Sequence, residues 1–475
     1  MLQTEALAIM NAGASVFLTG APGAGKTYAL NAFIADARKR GASVAVTAST
    51  GIAATHINGQ TIHSWSGLGV ANALTEAVLK NVRTRRRKAL CAADVLVIDE
   101  VSMMHAWLFD MVDQAMRVVR HDARPFGGVQ VVLSGDLFQL PPVSVGARNH
   151  DVIAPSPEFV SSRERYARAG LDPDGFITES FAWAELDPVI CYLSEQHRQD
   201  DGALLGVLTD IREGRVTQQD RDLLVTRLGV MPEEGRTAVN LFPVNRQADA
   251  LNDRRLAEID APAHVFHAQC AGPANLVERL KKNMLAPDVL TLKAGAEVMA
   301  VRNDADHQYV NGSLGTVSGF APENKGGWPI VAFENGNIVT MKPSDWELTD
   351  NEKTLAAVSQ VPLRCAWAIT IHKSQGMTLD AAVMDLRRTF APGMGYVALS
   401  RVGNLDGLYL GGVNNHMFDV SADAVRLDGT LRERSALAAR MLHDDGAASV
   451  VAAQRHAQTS AEDGEEDEFA QDELF

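Results

Sequence analysis

Residues Gly20–Thr27 read GAPGAGKT, a full instance of Gly-x-x-x-x-Gly-Lys-Thr. The string lies between an apolar run, VFLT (Val16–Thr19), and a helix-prone stretch from Lys26 to Arg38. That strand-loop-helix setting is the one in which such a sequence cradles phosphate. The loop Gly20, Ala21, Pro22, Gly23, Ala24, Gly25 offers backbone N–H groups to a triphosphate, with the positive end of the following helix behind them. Lys26 is expected to reach the outer phosphates and Thr27 to ligate magnesium.

About seventy residues further on, the apolar run VLVIDE ends in two adjacent acids. Asp99 is expected to hold magnesium through water, and Glu100 to orient or deprotonate the water that attacks the γ-phosphate. The next apolar run, VQVVLSGD, delivers Asp136 and then Gln139. A glutamine there can hydrogen-bond the γ-phosphate or its water and so distinguish ATP from ADP.

Short β-rich runs (SVFLT, SVAVTA, VLVIDE, VQVVLSG, then AVNLF and AAVMDL) alternate with helical stretches. Such alternation implies α/β cores with parallel sheets covered on both faces. The series occurs twice, giving a first core over 1–180 and a second over 181–293 and 366–425. Residues 294–365 change texture, with Asn-Gly turns at Asn311-Gly312 and Asn335-Gly336 that suit hairpins. They read as a small inserted antiparallel β-barrel. Residues 151–174 lack a clear period and read as a surface excursion. A helical extension over 426–457 and an acidic tail over 458–475, which cannot fold alone, close the chain.

The 475 residues carry a formal charge of −15 and are 46% hydrophobic, enough for several domains. No apolar run approaches the roughly 20 residues needed to span a bilayer, and no basic-then-apolar leader opens the chain. The expectation is a cytoplasmic protein of a bacterium or phage. The four cysteines (Cys91, Cys191, Cys270, Cys365) form no Cys-x-x-Cys pair, which argues against a zinc ribbon or a disulfide framework. Eight acidic residues and no basic ones lie in 458–475, so the rest of the chain carries −7. Lys80, Arg83, Arg85, Arg86, Arg87 and Lys88 fall within nine residues. They are either a solvated helix face or a DNA contact.

Seven strings together carry a resemblance: VTASTGIAA (46–54), GQTIHSW (59–65), IDEVSMM (98–104), PFGGVQVVLSGDLFQLPPV (125–143), EQHRQ (195–199), ITIHKSQGMTLD (369–380) and YVALSRV (396–402). In this order they resemble the Pif-type DNA helicases (petite integration frequency), the RecD-like 5′ to 3′ branch of helicase superfamily one. The resemblance covers roughly residues 1–415. It implies a monomeric motor of two RecA-like cores that hydrolyses ATP with magnesium and acts on single-stranded DNA and forked or structured duplexes in replication, recombination or repair.

By the same resemblance, Arg198 and Arg401 are arginine fingers for the γ-phosphate, and residues 68–90 form a wedge that splits the duplex, so that Arg85, Arg86 and Arg87 touch incoming DNA. Thr47, Thr50 and His63 on the first core, and Thr370, His372 and Lys373 on the second, hold the DNA backbone. Trp65 is either a base-stacking platform or a core tryptophan. The family's adenine-reading glutamine has no match in register: either Gln3 serves in a shifted position or base specificity is loose. The tail is either a solvating segment or a docking peptide for a replication partner. Two other readings stay open: a DNA-stimulated translocase that separates no strands, and a phosphate-loop kinase or switch without nucleic acid.

Overall fold

The computed structural model describes residues 1–69, 71–142, 156–195, 202–233, 238–284, 286–302, 304, 308–309, 311–350 and 353–458. They fall into two compact units, one within Met1–Thr50, Gly59–Gln199 and Val420–Phe475, the other within Gly51–Asn58 and Asp200–Asp419. No described helix is long and apolar enough to cross a membrane.

The first unit is built on six strands: Val16–Gly20 (β1), Val44–Ala48 (β2), Gln60–Thr61 (β3), Val95–Asp99 (β4), Gln130–Ser134 (β5) and Val189–Leu193 (β6). Their order is β3-β2-β4-β5-β1-β6, and every pairing is parallel. β1 and β4 are buried at all five positions, which is why both read as unbroken apolar runs rather than alternating ones. β1 is followed by helix Lys26–Lys39, and β4 by helix Ala106–Arg120, which buries a broad apolar face including Leu108, Phe109, Val112 and Met116.

The boundary expected at 180/181 falls later. β6 pairs with β1 along its whole length, from Val16 opposite Val189 to Gly20 opposite Leu193. The run VICYL therefore completes the first sheet instead of opening the second. The C-terminal helices also belong to this unit. Helix Ala422–Asp445 packs on β6, where Tyr192 donates its main-chain N–H to Ser435 Oγ at 3.0 Å and its hydroxyl to Asp428 at 2.8 Å. A last helix, described over 447–458, brings Gln454 against the base of β1. Its side-chain oxygen accepts from Ser15 N at 3.0 Å, and its amide donates to Ser15 O at 2.8 Å and to Asp187 O at 3.0 Å. The tail beyond 458 lies outside the described residues.

The expected wedge region holds helices Glu76–Arg85 and Arg87–Ala92, the first capped by the Thr75 hydroxyl, which accepts from Val78 N at 3.3 Å.

In the second unit, Val239–Phe242 (β7) precedes an antiparallel region made of His264–His267 (β8), Gln269–Ala271 (β9), Val289–Leu292 (β10), Glu297–Ala300 (β11), Leu314–Phe320 (β12), Pro329–Phe333 (β13), Ile338–Thr340 (β14), Ser344–Asp350 (β15), Lys353–Gln360 (β16) and Leu363–Cys365 (β17). These strands begin at His264, earlier than the change of texture at 294. They form sheets of five, three and two strands, and Leu290, Val298, Val317, Val331, Phe333 and Leu363 share one core. Asn335-Gly336 makes the β13-β14 hairpin: Gly336 has φ +88° and Phe333 donates to Asn337 O at 2.8 Å, as an Asn-Gly turn allows. The chain then adds Ala368–Thr370 (β18), Ala382–Asp385 (β19) and Leu408–Gly412 (β20), giving a parallel sheet of order β18-β7-β19-β20.

Candidate nucleotide site and DNA contacts

β4, β5 and β1 are consecutive in the first sheet, so their C-terminal ends place three loops side by side at one edge. That edge is where open α/β sheets bind ligands. The loop after β1 turns through Gly23 and Gly25, both at positive φ, and Gly25 at +82° immediately precedes helix Lys26–Lys39. At Gly20 a Cβ would stand 2.7 Å from the main-chain oxygen of Leu193, so the approach of β6 admits only glycine there. Lys26 Nζ donates to Gly20 O at 2.7 Å and to Ala21 O at 3.1 Å. The ammonium thus lies over the loop where phosphate oxygens can replace those carbonyls. Thr27 is exposed in the first helical turn.

Asp99 ends β4 and is buried. Burial pushes its carboxyl up, opposed by hydrogen bonds from the Ser134 hydroxyl and the Glu100 amide and by the charge of Lys26. Oxygen donors of this kind, Asp99 and the Thr27 hydroxyl, suit a hard divalent cation. No group of three His, Cys, Asp or Glu side chains converges among the described residues, so such a cation would draw its other ligands from phosphate and water.

Glu100 sits in the left-handed region at φ +53°, ψ +45°. That conformation costs a non-glycine residue about 1 kcal/mol or more and persists only where neighbours impose it. Here Ser49 Oγ donates to Glu100 O at 2.6 Å, and Ser49 N to Asp99 O at 3.1 Å. Asp136 and Gln139 follow β5, both buried, in a turn closed by Gln139 N donating to Asp136 O at 3.0 Å. Gln3 reaches the same loop: its amide donates to Ala24 O at 3.2 Å while its main-chain N–H donates to Glu195 at 2.7 Å. Ser49 and Ser134 were not singled out in the sequence. Their signal is a small hydroxyl residue just past, or at, the end of a buried strand beside the acid-bearing one.

Two expected DNA contacts are corrected. Thr47 is 0% exposed, and its hydroxyl donates to Val97 O at 2.6 Å inside the sheet, so that group is already used. Trp65 is 4% exposed and is a core tryptophan, not a stacking platform, because helix Ile62–Ser66 turns it inward. Thr50 and His63 are half-buried. Arg85 and Arg87 are exposed, while Arg86 lays its stem over Gly67.

In the second unit, Thr370 ends β18, buried, and His372 and Lys373 share the turn Ile371–Ser374. Burial pushes both side chains down, Lys373 further disfavoured by Arg364 and partly restored by Asp249. His372 is thus held neutral, a hydrogen-bond donor rather than a cation. Phe390, 62% exposed, places its ring 6.4 Å from that of His372. It also escaped the sequence reading, its signal being an aromatic next to Arg387 and Arg388. Arg401 is 2% exposed, and its guanidinium donates to Val397 O at 2.8 Å, to Ser374 O and Met377 O at 3.1 Å each, and to Ser400 Oγ at 2.7 Å. Arg198 lies outside the described residues.

Comparison with known proteins places these features in a family. The profile of the PIF1-like helicases matches residues 3–160, and that of the Pif1 DNA helicase 2B domain matches residues 275–320. An ATP-dependent DNA helicase Pif1 of Psychrobacter is 37% identical over 94% of this chain and 72% of its own. The crystal structure of the Candida albicans Pif1 helicase superposes with a TM-score of 0.77 at 31% identity, covering 90% of this chain and 98% of that one. A Bacteroides Pif1 helicase, solved in complex with ADP-AlF3 and single-stranded DNA, gives a TM-score of 0.64 at 27% identity over 94% of this chain and 99% of that one. With these likenesses spanning both units, the chain belongs to the PIF1-like helicase family.

Proposed function

We propose that this chain is an ATP-dependent DNA helicase that moves 5′ to 3′ along single-stranded DNA and opens forked or structured duplex. The observation that carries the reading is the gathering of Lys26, Asp99, Glu100 and Gln139 on three neighbouring strand ends. The loop Gly20–Gly25 would hold the triphosphate, with Lys26 on its outer phosphates and Gln3 at the loop's rim as the base reader. Thr27 and Asp99 would hold magnesium, which supplies charge neutralisation at the phosphates. Glu100 would take the proton of the attacking water, the turn fixed by Ser49 aiming its carboxylate, and Gln139 would sense the γ-phosphate. Arg198 and Arg401 are the proposed fingers.

On the DNA, Thr50, His63, Thr370, His372 and Lys373 would contact the backbone, with Phe390 a platform for one base. Arg85, Arg86 and Arg87 would meet the duplex at the wedge. The acidic segment 458–475 is proposed as a docking element for a replication protein, and deleting it should abolish that interaction while leaving ATPase activity intact.

The test is ATP-driven strand separation on two forks that differ only in whether the loading tail is 5′ or 3′. Unwinding of the 5′-tailed fork alone is expected. Unwinding of neither, with DNA-stimulated ATPase intact, would replace this reading by that of a translocase.

A further inference from the structure

The first unit contains a cavity of about 480 Å³ that the nucleotide chemistry does not use. Its walls are the segment 72–74, one side of helix Ala106–Arg120 and helix Pro157–Ala169. The volume falls in the range of pockets that hold a nucleotide-sized ligand. Trp107 and Met111 offer apolar wall, and Asn72, Gln114, Ser161 and Ser162 offer hydrogen-bonding groups.

Two guanidiniums in the lining give an anion its contacts. Helix Pro157–Ala169 carries three arginines toward this region. Arg163 is consumed by Asp174, two bonds at 2.8 Å. Arg165 and Arg168 line the cavity, and among the described residues neither makes an ion pair. Arg165 Cζ lies over the Phe181 ring, 3.7 Å from its centroid, a contact that helps to fix the guanidinium. Of the two acids in the lining, Asp110 accepts from the Tyr166 hydroxyl and, at 2.8 Å, from Ala182 N. Asp110 also feels the charge of Arg165, and Glu158 is exposed, so the two acids balance the two arginines in charge and a phosphate would be held by the guanidinium N–H groups.

The location says which ligand. Segment 72–74 leads directly into helix Glu76–Arg85, and both wedge helices pack on helix Ala106–Arg120, which forms a wall of the cavity. Thr50 and His63, the first-unit residues proposed to hold the tracking strand, line no part of it. We infer that this cavity receives one nucleotide of the strand excluded at the wedge, its phosphate on Arg165 and Arg168 and its base against Trp107. The inference rests on the helicase reading above.

The experiment uses the full chain on a 5′-tailed fork whose excluded strand carries thiothymidine at its first unpaired positions, with photocrosslinked peptides mapped. Crosslinks to residues 106–120 or 157–169 are expected, weakened by Arg168→Ala and by Ser161→Glu, which puts a carboxylate in the cavity. Both variants should lose about threefold to tenfold in unwinding of forks with an excluded tail, and nothing on substrates lacking that tail. Crosslinks from the tracking strand alone, from free thiothymidine monophosphate alone, or from neither would overturn the assignment. Stimulation of ATPase by single-stranded DNA, measured on the same preparations, is the control: its loss in the unaltered protein would instead remove the helicase reading.

Discussion

Arg401 Nη1 lies 3.1 Å from the main-chain oxygen of Ser374, the residue that follows Lys373. One guanidinium therefore ties helix Met394–Leu399 to the turn that presents His372 and Lys373. A side chain proposed to answer the γ-phosphate is also a strut of a turn proposed to contact DNA, so the two proposed roles share one guanidinium. Arg401→Ala should lower ATP turnover by about 10³ and also weaken binding to single-stranded DNA in the absence of nucleotide. Arg401→Lys should rescue neither, since an ammonium cannot replace a fork spread over four acceptors. Fluorescence anisotropy with an oligonucleotide reads the second effect, and an unchanged Kd would confine Arg401 to nucleotide chemistry.

Glu100→Gln keeps the size of the side chain and removes the base. ATP should bind as before while hydrolysis falls by about 10² to 10⁴. Ser49→Ala should act in the same direction but more weakly, by freeing the left-handed turn at Glu100. Single-turnover hydrolysis measured beside nucleotide binding separates the two.

Burial lowers the His372 imidazole below its ordinary 6.5. The unfolded chain then binds a proton that the folded one refuses, so this group favours the folded state less as pH falls from about 6.5 through its depressed value. His372→Gln removes that term. Urea melts at pH 7.5 and 5.5 should show the unaltered protein losing more stability on acidification than the variant. An equal loss would mean that His372 is not desolvated.

Phe390→Ala should weaken binding to single-stranded DNA by about 1–3 kcal/mol, the range for a base-stacking aromatic, with Phe390→Trp retaining it. Because Phe390 is mostly exposed, thermal stability should stay unchanged, and a fall in Tm would identify it as a packing residue.

Gln454→Leu strands the N–H of Ser15 at the root of β1, a buried position, while Ser15 O keeps the N–H of Val189 at 2.9 Å. The expected cost is about 1–3 kcal/mol, read by chemical denaturation, and nucleotide affinity should fall with it because Ser15 leads directly into the strand that carries the loop.

The strands that carry the candidate nucleotide site were legible because their signal is local: a glycine loop and two acids close apolar runs, a glutamine follows another, and each run is one strand of the first sheet. What escaped notice depends on distant partners. β6 reads as an isolated apolar run, and only its pairing with β1 assigns it to the first sheet. Thr47 and Trp65 sit in motif strings whose lettering does not say which side chains face inward. The anchoring of Glu100 by Ser49 joins residues 51 positions apart, and the use of Arg401 as a strut involves main-chain oxygens, which have no signature in the side-chain sequence.

Helix Ala422–Asp445 covers the strand that flanks β1, and Gln454 closes the strand's base. Because the second unit is inserted in the chain between these helices and the sheet they cover, the first unit cannot be finished as its amino-terminal part leaves the ribosome. Domains ordinarily fold in order of synthesis. Here the ATPase half should stay incomplete until more than two hundred later residues have been made, as the insertion spans Asp200–Asp419. Competence to burn ATP should thereby be withheld from nascent chains.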